Sequence, residues 1–302
     1  MAAPMSKDPV YDFHGKISAG KAIPFGLQHV LAMFVANIAP ILIVTGVVHM
    51  PPGQVAVLVQ AAMIIAGVGS LLQMFPLGPL GSGVPVIMGI SFTFVSVFCM
   101  IGAKYGYGAI LGAALVGGIL EGTLGLTARW WRRFIEPIVS ATVVTAIGFS
   151  LLSIGANSFG GGFGNPHFGD APYLIVGSIT LVSCIVFNIL AKSYYKQLSV
   201  LFGLVVGYVA SYFFGMVDLS RLASVPLISL PGFMPYPLEF HGDAIVSVFL
   251  IFLVSATETL GDTSALTDMG FGRPAKDKEI SGSIAVDGYI SSLSSLFGCM
   301  PI

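Results

Sequence analysis

The sequence predicts an all-α polytopic membrane protein, and three observations predict it. Hydrophobic residues make up 55% of the 302 positions and charged residues 9%, with a mean hydropathy of +0.92. Soluble domains are about 25% charged, so a soluble globule of this size could not cover its surface with so few charges. Apolar runs close to the bilayer-spanning length of about 20 residues recur near 24–46, 54–74, 84–101, 106–126, 134–153, 171–190, 197–216, 243–262 and 279–297. Basic residues then sort by side. With the N-terminus inside, the cytoplasmic segments hold Lys7, Lys16, Lys21, Arg129, Arg132, Arg133, Lys192, Lys196, Arg273, Lys276 and Lys278, and the other side holds only Lys104 and Arg221. A miscounted span would scramble that bias, so the count of about nine spans and the orientation support each other.

The composition also excludes. Thirteen Lys and Arg balance fourteen Asp and Glu, so no basic field exists to attract nucleic acid. Cys99, Cys184 and Cys299 lie in apolar stretches without metal-ligand spacing and read as free, buried thiols. A membrane-embedded enzyme would need a nucleophile–base pair or a metal cluster; one intramembrane His with scattered carboxylates supplies neither, so no catalytic residue and no metal ligand is expected. The first 22 residues lack the apolar core of a signal peptide. The expected setting is the inner (cytoplasmic) membrane, multi-pass, with residues 1–23 as a cytoplasmic tail.

Along the chain, Gly15–Ala22 imitates a phosphate-binding loop. Ala22 replaces the hydroxyl that would hold Mg²⁺ and no strand precedes it, so a basic tail is the better reading. His29 opens the first span, where a structural role and a proton-relay role stay open. Asn37 lies two turns on and needs a partner within the bundle. Residues 75–95, FPLGPLGSGVPVIMGISFTFV, are poor helix: prolines and glycines precede the β-favouring run Val84–Ile87. The economical reading is a short extended segment, then a half-helix starting mid-membrane with Ser91 as its N-cap; the alternative is a loop outside the membrane. Such a half-helix aims its positive end at a ligand.

Glu121, in GGILEGTLG, sits where Gly118 and Gly122 would allow close helix contact; it has no assigned role. Glu258 and Asp262 lie at i and i+4 in SATETLGDTSALT, on one face with Ser255. Paired carboxylates suit proton coupling, and a carboxylate can accept N–H groups from a planar, uncharged ligand. Asp262 could instead merely cap a helix at the interface. Asp287 is expected to pair across helices. Gly83-Val84-Pro85-Val86-Ile87 is echoed loosely by Gly298-Cys299-Met300-Pro301-Ile302, 215 residues later and in the opposite membrane sense. Inverted-topology repeats predict such an echo.

Three segments carry a resemblance. QHVLAMFVANIAPILIVTG, GSGVPVIMGISFTFV and ETLGDTSALT resemble the nucleobase–ascorbate transporters, and the Glu-Thr-Leu-Gly-Asp run resembles the bacterial xanthine and uric acid permeases within them. Uracil permeases of that family tend to carry His where Asp262 stands; a uracil carrier is the alternative. The resemblance implies an inverted-repeat transporter fold, seven plus seven spans in the complete family fold, with a short β-strand in the broken third span. It implies a core domain from spans 1–4 (24–128) and from spans 8–9 with the start of span 10 (217–302), and a gate domain from spans 5–7 (129–216). It implies substrate binding by Glu258, Phe92, Ala36 and Ser91, with His29 and Asp262 supporting the site and its proton coupling. The implied activity is proton-coupled symport of a purine nucleobase, with no cofactor beyond the proton gradient. The expected partners are the nucleobase and the lipid bilayer, not nucleic acid. GxxxG pairs at 118–122 and 203–207 would suit helix contacts, a homodimer among them. The family's Gln/Glu-Asn-x-Gly stretch should begin within a turn or two of Gly298, so the sequence is expected to be a fragment of a longer gene rather than a truncated, non-transporting protein.

Overall fold

The computed structural model describes residues 18–135, 137–162, 165–191, 198–217, 230 and 232–302. Lys7, Lys16, Lys192, Lys196 and Arg221, and Gly15–Ile17 of the phosphate-loop look-alike, lie outside the described residues. The described chain is helical: α1 Ala19–Val47, α2 Pro52–Met74, α3 Val95–Tyr105, α4 Tyr107–Leu126, the single turn α5 Ala128–Trp131, α6 Pro137–Phe159, α7 Ala171–Leu190, α8 Ser199–Phe213, α9 Gly242–Phe271 and α10 Asp277–Leu296. Six of them (α1, α2, α4, α6, α7 and α9) contain segments long and apolar enough to cross a membrane, while α3, with the 3-10 turn before it, and α8 are shorter apolar helices. Eight of the nine apolar runs each overlap one helix along most of their length, while the run at 84–101 is helical only from Phe92 onward. Local rules mark several ends: Pro52 opens α2, where the missing N–H costs nothing, and Gly272 closes α9 in the left-handed conformation at φ 61°.

Two ion pairs fix which ends share a side. Arg132, after α5, pairs with Asp277 at the start of α10, and Lys104, ending α3, pairs with Asp243 at the start of α9 at 3.0 Å. The first joins two segments whose basic residues the sequence places together; the second joins segments assigned to the opposite side. Exposed pairs of this kind add little stability, so their value here is geometric. The α9–α10 connection is stapled further: Arg273 grips both Glu279 oxygens at 2.9 and 2.6 Å, and Glu279 accepts the Lys276 N–H at 2.8 Å.

The closest packing joins α4 to α10. A Cβ on Gly118 would meet the Gly288 carbonyl and Ser292 Oγ at 2.5 Å, one on Gly122 would strike the Tyr289 ring, and one on Gly125 would strike the Ala285 backbone. Gly203 and Gly207 on α8 sit against Cys184 and Thr180 of α7 in the same manner. Both GxxxG pairs thus make helix contacts within the chain. Many large apolar side chains on α6, α7 and α8 remain exposed, as lipid-facing helices require.

Between α2 and α3 the chain is not helical. Residues 75–91 form turns and extended backbone, then a 3-10 turn, Phe92–Phe94, runs into α3. The expected short strand is not assigned; among the described residues the sole β-type pairing is an isolated bridge between Leu77 and Leu80. The segment's amides are satisfied by other means. Gln73 accepts the Ser82 N–H with its side chain at 3.1 Å and the Gly83 N–H with its carbonyl at 2.7 Å. Ser70 Oγ accepts from Met88 N–H at 2.9 Å, and Asn37 Oδ1 from Ile90 N–H at 2.6 Å. Asn37 thereby has the bundle partner the sequence demands. Residues 297–302 pack beside this segment: Ser91 N–H donates to the Pro301 carbonyl at 3.2 Å, and Tyr107 Oη donates to the Gly298 carbonyl at 2.8 Å. Gly83 and Gly298, the leading residues of the sequence echo, have φ of 73° and 76°, a left-handed conformation that glycine adopts without steric cost.

Two outcomes follow from this packing. Gly118→Val should destabilise the folded chain by about 2 kcal/mol or more through overpacking, while Gly148→Ala, with open space around it, should be neutral or slightly stabilising; thermal unfolding in detergent separates them. Asn37→Ala, which strands a buried amide, should cost about 1–3 kcal/mol by the same measurement, and Asn37→Asp, which keeps an acceptor, should lose less.

Candidate functional site

The break in the third span makes room for a cavity of about 280 Å³, bounded by residues 86–92 on one side and by α9 and α10 on the other, with Gln73 and Ile302 at its edges. Its wall is chemically divided. The segment contributes Val86 to Phe92, mostly apolar; α9 contributes Ser255, Glu258, Thr259, Asp262 and Thr263; α10 contributes Ser283 and Asp287. Because residues at i, i+3, i+4 and i+7 share one helix face, Ser255, Glu258, Thr259 and Asp262 form a polar stripe along α9. Toward the start of α9 the same face turns apolar: Val248 and Phe252 are fully buried, and Phe252 packs on Phe94 with ring centroids 4.6 Å apart.

Each carboxyl is held differently. Thr93 Oγ1, in the turn that starts the half-helix, donates to Glu258 Oε2 at 2.6 Å. Asp287 accepts from Thr259 and, at 3.5 Å, from Ser255. Asp262 stands at the more open end of the stripe. Ser91 caps the 3-10 turn, its Oγ accepting the Thr93 N–H at 3.2 Å. Gln73 is buried behind the cavity and donates to the Ser283 carbonyl and hydroxyl at 3.1 and 3.2 Å, tying α2 to α10. Among the described residues no cluster of His, Cys, Asp and Glu could hold a metal ion.

Of the residues the sequence singles out, Glu258, Asp262, Phe92 and Ser91 meet at this cavity. Ala36 and His29 do not: both are exposed on α1 and neither lines it. The neighbouring residue explains Ala36. Asn37 turns inward to the Ile90 amide, and one step along a helix is a rotation of about 100°. Sequence reading missed Thr93, Thr259, Gln73 and Ser283. The available signal was weak: hydroxyl and amide side chains inside apolar runs that need partners they do not reveal.

With this geometry established, comparison with known proteins is informative. The model of a family described as a permease family matches residues 20–302. The xanthine permease XanQ of Escherichia coli K12 is 33% identical over 98% of this chain and 66% of its own length. The uric acid permease PucK of Bacillus subtilis 168 is 31% identical over 91% of this chain and 64% of its own length. The xanthine permease XanP of Escherichia coli K12 is 29% identical over 91% of this chain and 63% of its own length. The chain therefore spans just under two thirds of the length of these relatives. They are permeases rather than enzymes, and the matched residues include the broken span, α9 and α10 that line the cavity. The chain belongs to this permease family, the nucleobase–ascorbate transporters.

Proposed function

We propose that this chain carries a purine nucleobase of the xanthine or uric acid type, together with a proton, across the cytoplasmic membrane. The observation that carries the reading is Glu258. It faces the cavity beside Phe92 and the backbone of the break, held from behind by Thr93. A carboxylate offers about four lone-pair sites, so the Thr93 bond leaves capacity for ring N–H groups of a planar base. Phe92 supplies a ring face for stacking. The turn capped by Ser91 directs its positive end toward the same space. Three carboxyls around one cavity disfavour an anion and suit a neutral ligand arriving with a proton, which offsets part of the negative charge. Asp262, one turn from Glu258, is the second acceptor for that proton. Ala36 and His29 receive no contact with the base in this arrangement.

The same proposal places 24–128 and 217–302 in a core that holds the site and 129–216, which contains α6 to α8, in a gate. The extended segments at 84–90 and 299–302 are proposed as counterparts in two inverted repeats, forming short paired strands in the family fold of seven plus seven spans. The Ser91–Pro301 bond and the matching φ of Gly83 and Gly298 support that pairing. The relatives named as xanthine and uric acid permeases support the substrate class.

The test uses the complete protein in cells. Glu258→Gln should abolish xanthine uptake while membrane expression stays intact, and normal uptake by this variant overturns the assignment. Competition with unlabelled bases separates the purine reading from uracil: xanthine or uric acid should suppress labelled uptake and uracil should not.

A further inference from the structure

Glu121 is the acidic group the site leaves unexplained. It lies on α4, five residues before the helix ends at Leu126, and is fully buried, and both carboxylate oxygens lack a hydrogen-bond partner among the described residues. The surrounding seam closes it off. Gly118 and Gly122 press α4 onto α10, and a Cβ on Gly288 would strike the Gly122 amide and the Glu121 backbone. The polar side chain nearby on α9 is Ser255, itself 5% exposed and not hydrogen-bonded to Glu121, and Ser255 Oγ lies 3.5 Å from Asp287 Oδ2. Ser255 and Asp287 line the cavity. The titratable groups around Glu121 are Glu258 on α9 and Asp287 on α10, with Tyr289 packed on the adjacent Gly122. At the ends of α4, Lys104 is engaged by Asp243 and Arg129 lies over the Trp130 ring. No described ion pair reaches Glu121.

A carboxylate without a cation or hydrogen-bond donor does not stay ionised in such a place; it takes up a proton. We propose that Glu121 is a proton-holding group of the transport site, neutral at neutral pH, and exchanges its proton with Asp287 through the Ser255 hydroxyl. The step balances within these three side chains. The Glu121 O–H proton passes to Ser255 Oγ as the Ser255 hydroxyl proton passes to Asp287 Oδ2, and return follows the reverse path. Only O–H bonds break and form. This deepens the proton-coupled reading and rests on it for its role in transport, though the protonation itself can be read without substrate.

The experiment is infrared difference spectroscopy of the purified chain in lipid, with no base present. A protonated-carboxyl C=O band at neutral pH should vanish in Glu121→Gln, a near-isosteric variant that introduces no charge. Its shift on transfer to heavy water reports access to the cavity. Ser255→Ala should keep the band and slow that shift by about tenfold or more, the loss of one relay hydrogen bond. A spectrum identical in Glu121→Gln and the parent overturns the protonation, and unchanged exchange in Ser255→Ala overturns the route. Should Glu121→Gln fold poorly, Glu121→Asp, which should shift the band rather than remove it, decides the same question. Failure of the purine reading would appear in uptake and leave these spectra unchanged.

Discussion

The structure depends on how the non-helical backbone between Phe75 and Ser91 meets its hydrogen-bonding needs. Lipid offers no partners, so irregular backbone at membrane depth survives only where protein supplies them. Here the suppliers are side chains of two preceding helices. Asn37 of α1 and Ser70 and Gln73 of α2 take the Ile90, Met88 and Ser82 amides. Gly81 N–H reaches the Gly282 carbonyl of α10 at 3.0 Å, and Gln73 continues to Ser283. Each bond that satisfies the break also sets a helix against it. The registry of α1, α2 and α10 and the existence of the cavity therefore have one cause.

The small-residue seam of α4 and α10 is the complementary constraint. Glycines at 118, 122, 125 and 288 let two backbones approach where any side chain would collide, and Ser292 Oγ donates across the seam to the Leu115 carbonyl at 3.0 Å. Without a hydrophobic driving force between helices in lipid, dispersion at such contacts holds the bundle. The seam holds α10, and α10 holds Asp287 and Ser283 against the polar stripe of α9. Rigidity in one pair of helices is thus converted into a fixed arrangement of carboxyls two side chains away.

Much of this was legible in the sequence because it is local. Hydropathy over about 20 residues marked the long helices, and the proline and glycine content of 75–89 located the break. The carboxylate pair on α9 follows from helical spacing alone. What was not legible is non-local. Thr93 and Glu258 are 165 positions apart, and Gln73 and Ser283 are 210 apart; no periodicity in a single sequence specifies such partners. Ala36 and Asn37 show the limit sharply. That Asn37 turns inward is decided by the Ile90 amide on another segment, which nothing in the α1 sequence specifies. The β-favouring run Val84–Ile87 likewise does not complete a strand here, because a strand needs a ladder of bonds and Pro85 removes a donor; its neighbourhood is held instead by side chains and the single Ser91–Pro301 bond. The GxxxG pairs were correctly read as contact motifs, but sequence could not tell contact within the chain from contact between chains.

The polar face of α9 joins two otherwise separate events. Its Glu258 is bonded to Thr93 of the half-helix, and its Thr259 is bonded to Asp287 of α10. These neighbours in sequence point to opposite walls of the same cavity. Under the proposed function, a base engages the remaining lone pairs of the same carboxylate that anchors the half-helix, so binding acts on the position of the break. A change of charge on Asp287 acts on its bond to Thr259, and so on the same turn of α9. Under the proposed function, base and proton occupancy bear on a single helical turn from its two sides. Coupling between them then requires no long pathway, only that this turn has one position when both are bound and another when neither is.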